Sequence, residues 1–379
     1  MGTLNEVPRV GISGSYGGSN LGDEAILQAI ISQLRNSLPV EITVFSRDDE
    51  DTQRRHQVEH VVPIRKLTRA EARAEVERLD LLILGGGGIL YNGEVESYLR
   101  EVMLAHEIGV PVMLYAISAG PLVVSATRQL IRDALNKTAL ITVRDRQARK
   151  LLEEVGVEQP IHVTADPALL LEPEPLPLEA LTREGLDTRH RLVGFSVREP
   201  GPAAPDIDIQ HYHALLAHAA DFLVDRNDVQ IVFVSMERKH LDLQQSHAVV
   251  AQMKHASRAA VLKGEYSPGQ LLSLVSHFEF AVGMRLHFLI FTALQGVPFV
   301  VLPYATKIAG FIEDLGLEMP PLEQVSTGQL IAYIDRSWDT RHEVRAHIQR
   351  ALPALQERAR ETLGLAADLF SKIAATKDP

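Results

Sequence analysis

The sequence predicts an α/β protein made of two doubly wound, parallel-sheet domains facing a cleft. Three observations carry this. Strand-length apolar runs alternate with helix-length stretches along most of the chain, the pattern of βαβ crossovers. The alternation breaks once, at Glu172-Pro173-Glu174-Pro175-Leu176-Pro177, where three prolines in six residues can continue neither a helix nor a central strand. The length of 379 residues suits two domains, at roughly 100–200 residues each. The expected division is 1–175, 176–340 and a helical tail, 341–379, packing back on the domains.

In the first half, residues 9–13 (RVGIS) read as a strand, followed by a glycine-rich turn and a helix over 23–38. Strands follow at 41–45, at 79–84 running into four glycines at 85–88, at 112–117 and at 140–143. Helices are predicted at 98–108, which meets Gly109 and Pro111, and at 146–155, stopped by Gly156. After the prolines, strands are predicted at 192–197, 229–234, 278–282 and 299–302. Helices are predicted at 212–224, 241–255, 268–276, 285–295 and 308–315, with one or two amphipathic helices over 342–375. Sheets of this kind bind ligands beyond the carboxyl ends of their strands.

Composition narrows the chemistry. Hydrophobic residues are 46% and charged residues 23%, ordinary for a soluble globular protein. With no cysteine, a disulfide framework, cysteine-ligated zinc, iron–sulfur clusters and a cysteine nucleophile are excluded. A net charge of −11 argues against a broad nucleic-acid surface while leaving room for a local basic pocket. Residues 1–9 are too short and polar for a signal peptide, and no apolar run approaches the ~20 residues of a membrane span. The expected location is the cytoplasm. No H-E-x-x-H, P-loop or G-x-S-x-G pattern occurs, so neither a metal site nor a cofactor is expected.

Four constellations can carry chemistry. Gly14-Ser15-Tyr16-Gly17-Gly18-Ser19-Asn20-Leu21-Gly22-Asp23-Glu24 puts four glycines between a strand and a helix. It reads equally as a ligand-contacting loop using Asn20 and Asp23 or as a tight turn with Asp23 as N-cap. The run at 85–88, including Gly86 and Gly87, is costly in backbone entropy and is best explained by close approach to a ligand or to the other domain, with Tyr91, Asn92 and Glu94 following.

The third constellation, Gly283-Met284-Arg285-Leu286-His287, is the most informative. Arg285 and His287 stand in the first turn of a very apolar helix, where the dipole opposes a cation unless an anion sits between. Arginine matches phosphate or carboxylate oxygens with a bidentate fork, and a histidine beside it can transfer a proton. The plain alternative is that Arg285 pairs with a structural carboxylate. A step of about 100° per residue sets the two side chains some 200° apart, so either the helix begins after Arg285 or the two grip a ligand from opposite sides. The fourth is Pro303-Tyr304-Ala305-Thr306-Lys307 after the next strand, which can bring Lys307 to the same edge. Arg198 and Arg144 close two further strands, and Asp166 lies in Ala165-Asp166-Pro167.

Tyr16-Gly17-x-x-Asn20-Leu21-Gly22-Asp23-Glu24, the glycines at 85–88, Val143-Arg144-Asp145, Ala165-Asp166-Pro167, Gly283-Met284-Arg285-Leu286-His287 and Tyr304-x-x-Lys307 occur in that order. Together they resemble the polysaccharide pyruvyl transferase family, above all its bacterial members that pyruvylate the secondary cell-wall polymer anchoring surface-layer proteins. The resemblance spans about residues 9–316. It implies a GT-B-like fold and transfer of pyruvate from phosphoenolpyruvate to a sugar, leaving a cyclic ketal and phosphate. It implies Arg285 and His287 on the donor, Lys307 and Arg144 as needed for activity, and Arg198 as a further donor ligand. Asn20, Asp23, Gly86, Gly87 and Asn92 would face a glycan acceptor, which a lipid could carry at the inner face of the cytoplasmic membrane. The rivals are a nucleotide-sugar glycosyltransferase, with Glu313 read as its ribose carboxylate, and a catalytically silent sugar- or anion-binding module.

Overall fold

The computed structural model describes residues 7–199, 208–237, 241–302, 306–318 and 326–377. Two units are distinguished. The first comprises Met1–Gly18, Asp23–Leu171 and Gln356–Pro379; the second comprises Ser19–Gly22 and Glu172–Leu355.

The first unit is a doubly wound sheet. In chain order it contains β1 (Arg9–Ser13), α1 (Leu21–Ser37), β2 (Glu41–Ser46), α2 (Asp49–Arg55), β3 (His60–Pro63), α3 (Arg69–Val76), β4 (Leu81–Leu90), α4 (Val95–Ile108), β5 (Val112–Ala119), α5 (Ser125–Leu135), β6 (Leu140–Val143), α6 (Arg146–Val155) and β7 (Ile161–Val163). The strands are all parallel, in the order β3-β2-β1-β4-β5-β6-β7. Val10, Ile12, Leu81, Leu82, Ile83 and Leu84 are fully buried, as expected where helices cover both faces. Each such side chain stabilises the fold by about 1.5–3 kcal/mol. Helix ends follow local chemistry: the Asp145 side chain accepts from Ala148 N to start α6, and Gly156, at φ 96°, ends it.

The second unit contains α7 (Ala180–Arg183), β8 (Arg191–Ser196), α8 (Ile209–Asn227), β9 (Val229–Phe233), α9 (Leu241–Val250), β10 (Ala259–Val261), α10 (Pro268–Val275), β11 (Phe278–Gly283), α11 (Leu286–Leu294), β12 (Phe299–Val301), α12 (Thr306–Asp314), α13 (Thr327–Asp339) and the start of α14 (Arg341–Lys377). Its parallel sheet runs β10-β9-β8-β11-β12. Chain direction across each sheet reverses between two neighbours, β1 and β4 in the first unit and β8 and β11 in the second. These are the switch points where such folds open a crevice.

Several expectations are corrected. The strand expected over 79–84 does not stop at the glycines; β4 continues through 85–88 to Leu90. Asp23 is not an N-cap, because α1 already begins at Leu21. Residues 19–22 read with the first domain but belong to the second unit, where Leu21 N donates to Met236 O at 2.8 Å. The proline segment is irregular as expected, and Glu174 N bonds to Gly269 O. α14 bears Pro353 within it; its residues to Leu355 fall in the second unit and those from Gln356 in the first, where Thr362 Oγ1 donates to Thr164 Oγ1.

Candidate functional site

The site is built at the switch point of the second unit. β8 and β11 are parallel neighbours, and Met284 N donates to Ser196 O just past their ends. The chain leaves these strands through Arg198 on one side and Arg285 on the other. Arg285 is the N-cap of α11 with extended backbone, φ −85° and ψ 124°. The helix therefore begins after it, one of the two alternatives the spacing allowed, and Arg285 and His287 are not constrained to opposite helix faces.

Arg285 does have local partners, which corrects the expectation that none favours it. Nε donates to Asp242 Oδ2 at 2.9 Å, and Nη2 donates to Glu237 Oε2 at 2.8 Å and to Asp242 Oδ1. The Asp242 side chain is 0% exposed and that of Arg285 13%. Asp242 Oδ2 also accepts from Met236 N at 3.2 Å and Glu237 N at 3.1 Å. Burial raises the Asp242 pKa above the usual carboxylate value, opposed by the Arg285 charge and its hydrogen bonds, and Arg198 adds a smaller favourable charge. Burial alone would lower the Arg285 pKa; Asp242 and Glu237 outweigh it, so the guanidinium is held charged. Among the described residues no hydrogen bond uses Arg285 Nη1, so its two hydrogens remain as donors.

His287, on the first turn of α11, meets the segment Asn20-Leu21-Gly22. A Cβ on Gly22 would stand 2.0 Å from His287 Nδ1, 2.5 Å from Cγ and 2.9 Å from Cε1. The N-x-G-D-E and G-M-R-L-H motifs therefore touch through these two residues, which lie 265 positions apart in the chain. Asn20 Oδ1 accepts from Gly22 N at 3.0 Å, and Asn20 pairs with Glu237 in an antiparallel bridge.

The remaining predicted residues lie elsewhere. Arg144 is in the first unit, with Nη1 donating to Asp166 Oδ2 at 2.7 Å; their side chains are 5% and 6% exposed. Asp166 Oδ1 accepts from Ala168 N within its own turn, and Asp145 Oδ2 accepts from Ser118 Oγ at the end of β5, so both motif carboxylates also brace structure. Asn92 Oδ1 accepts from Val124 N. Gly86 is buried, and a Cβ there would stand 2.2 Å from Ile26 Cγ2. Gly87, at φ 87°, lies beside Asp23; a Cβ on Gly87 would stand 3.4 Å from Asp23 Oδ1. The space beside Gly86 thus belongs to α1 packing. Lys307 opens α12, but its side chain lies outside the described residues, as do Pro303, Tyr304 and Ala305.

Structure thus brings Arg285, His287, Arg198, Asn20 and Gly22 into one unit, and adds Asp242 and Glu237, which sequence reading missed. A signal existed: both acids follow β9, a neighbour of β8, where a strand's carboxyl end delivers side chains to the crevice. Among the described residues no group of three histidine, aspartate or glutamate side chains could hold a metal ion, and no helix is long and apolar enough to cross a membrane.

The family model for polysaccharide pyruvyl transferase matches residues 20–306. The amylovoran biosynthesis protein AmsJ of Erwinia amylovora is 21% identical over 255 residues, 64% of this chain and 61% of the relative's length. Among solved structures, UDP-GlcNAc 2-epimerase of Neisseria meningitidis bound to UDP-GlcNAc superposes with TM-score 0.62 at 11% identity, covering 96% of this chain and 100% of that one. The epimerase of Methanocaldococcus jannaschii gives 0.58 at 13%, covering 86% and 92%. ADP-heptose lipopolysaccharide heptosyltransferase II of E. coli gives 0.50 at 15%, covering 89% and 100%. These structures share the fold alone.

Proposed function

We propose, from the premise that this chain belongs to the polysaccharide pyruvyl transferase family, that it moves pyruvate from phosphoenolpyruvate to two hydroxyls of a sugar, forming a cyclic ketal and releasing phosphate. The acceptor in this reading is a cell-wall polysaccharide precursor, of the kind used to anchor surface layers, carried on lipid at the inner face of the cytoplasmic membrane. The observation that carries the reading is Arg285, oriented by two carboxylates and keeping the Nη1 donors, with His287 two residues on and Arg198 across the switch point.

Arg285 supplies directed hydrogen bonds more than net charge, since Asp242 and Glu237 already balance it. The cationic surplus for a phosphate and a carboxylate then falls to Arg198 and Lys307. In the reaction a proton adds to C3 of the enol and C2 takes oxocarbenium character. One sugar hydroxyl attacks C2 and loses its proton; the C2–O bond to phosphate breaks; the second hydroxyl closes the ketal and loses its proton. One of the two released protons replaces that consumed at C3, and the other leaves with the phosphate. His287 is the group assigned to proton exchange in this reading. Arg285 and Arg198 stabilise charge building on the leaving phosphate, preorganised donors of a kind that contribute about 3–4 kcal/mol each. Asp23, Asn92 and Gly87 of the first unit are assigned to the acceptor.

The test is phosphate release from phosphoenolpyruvate with a glycan acceptor, beside calorimetric titration with phosphoenolpyruvate and with a UDP-sugar. Phosphoenolpyruvate is expected to bind and turn over, and Arg198→Ala to raise its KM. Binding of the UDP-sugar without any of phosphoenolpyruvate would overturn the reading in favour of a glycosyltransferase.

A further inference from the structure

We infer that Asn20-Leu21-Gly22 is a positioning strap for the Arg285–His287 site, with Gly22 seating the His287 imidazole, rather than a contact for the acceptor sugar. The inference rests on the proposed role of His287 in proton exchange. Four observations on one unit carry it. Three ring atoms of His287 lie where a Gly22 side chain would begin, the nearest at 2.0 Å. The Gly22 backbone lies outside the left-handed region, so glycine is required there by the ring and not by chain conformation. The strap is fixed at both of its polar ends: Leu21 N donates to Met236 O at 2.8 Å, and Asn20 Oδ1 takes Gly22 N at 3.0 Å. Finally, the residues it pairs with are those that hold Arg285. Asn20 bridges Glu237, and Met236 N and Glu237 N donate to the Asp242 carboxylate that receives Arg285 Nε.

One short segment therefore touches the histidine directly and the arginine through its carboxylates. This gives the N-x-G motif a physical reason to accompany G-M-R-L-H: each supplies half of one packing contact. Adding a methyl group at residue 22 has a specific consequence. A side-chain ring can turn away where backbone could not, so the fold is retained and the imidazole is displaced.

The experiment is Gly22→Ala in the full chain, made also in a His287→Ala background. Expected in the parent background is a fall in kcat of about 100-fold, the range of a lost acid–base group, with donor KM little changed. Expected in the His287→Ala background is less than about a twofold further change, because the group being displaced is gone. Parental kcat in Gly22→Ala, or the same fold-loss in both backgrounds, would overturn the inference. Histidine ring signals in NMR, assigned with His287→Asn, give a readout independent of turnover: they shift in Gly22→Ala. Unmoved signals sink the strap, whereas shifted signals in a protein that releases no phosphate from phosphoenolpyruvate support the strap and sink the functional reading. Should Gly22→Ala not fold, Gly22→Ala with His287→Gly restores folding; failure of that double variant would show that the ring is not what Gly22 accommodates.

Discussion

The two sheets share a topology, three strands wound one way and the rest wound the other, yet their switch points hold opposite contents. Between β1 and β4 the space is closed by packing. The Tyr16 ring lies 2.7 Å from a Cβ built on Gly14, its hydroxyl 2.2 Å from one built on Gly85, and Ile26 fills the place beside Gly86. Between β8 and β11 the space carries charge: Arg285, Asp242 and Glu237, with His287 and Arg198 adjoining. Glycines therefore mean different things in the two units. In β4 they admit a neighbouring helix and a tyrosine, whereas at Gly22 glycine admits the His287 ring. A switch point permits a site by topology, and the side chains delivered to it decide whether one exists.

The largest expected effect breaks the charged side of this comparison. Arg285→Ala removes the donors proposed for phosphate and also leaves Asp242, at 0% exposure, without its counter-charge. Removing one partner of a buried pair costs about 3–5 kcal/mol. Urea unfolding is expected to show that loss, phosphate release to fall by at least about 100-fold, and Asp242→Asn in the same chain to restore stability but not turnover. Parental stability in Arg285→Ala would mean that the carboxylate cluster does not depend on the arginine.

Arg144 tests whether the first unit holds a comparable site. Its buried pair with Asp166 braces the carboxyl end of β6. Arg144→Ala is expected to lose about 3 kcal/mol in urea unfolding, and Asp166→Asn in that background to recover most of it. Turnover that stays absent in the stability-restored chain would assign Arg144 a ligand contact beyond the brace.

Much of the fold was legible because its signals are local. Apolar runs marked the central strands, and Gly156 and Gly109 marked helix ends. The glycines at 85–88 read as a close approach to a ligand or to the other domain, whereas Tyr16 and Ile26 occupy the space beside Gly85 and Gly86 in a strand that continues through them. α13 escaped notice because its buried residues, Leu330, Ile334 and Trp338, are only three in thirteen positions. At the site, the motif residues were legible and their partners were not. Asp242 lies 43 positions from Arg285, and nothing in either local sequence records that they meet.

The smallest effect sharpens the packed side of the comparison. Tyr16 is 1% exposed, and its hydroxyl has no hydrogen-bond partner among the described residues. Burial first, then the charges of Asp23, Glu24 and Asp166, raise its pKa well above the ordinary 10.0. A buried unpaired hydroxyl costs about 1–3 kcal/mol, so Tyr16→Phe should be neutral or stabilising by about 1 kcal/mol and should leave turnover unchanged. The pH dependence has a definite sign. Below pH 10 the phenol is neutral in both folded and unfolded chains, and its titration takes nothing from stability. Above pH 10 the unfolded chain gives up the proton while the folded one keeps it, so stability falls as pH rises toward the raised folded value. Alkaline unfolding of Tyr16→Phe should therefore show a shallower decline than the parent. A steep fall in turnover without any gain in stability would instead make the crevice between β1 and β4 a candidate ligand site too, and the contrast between the two units would be lost.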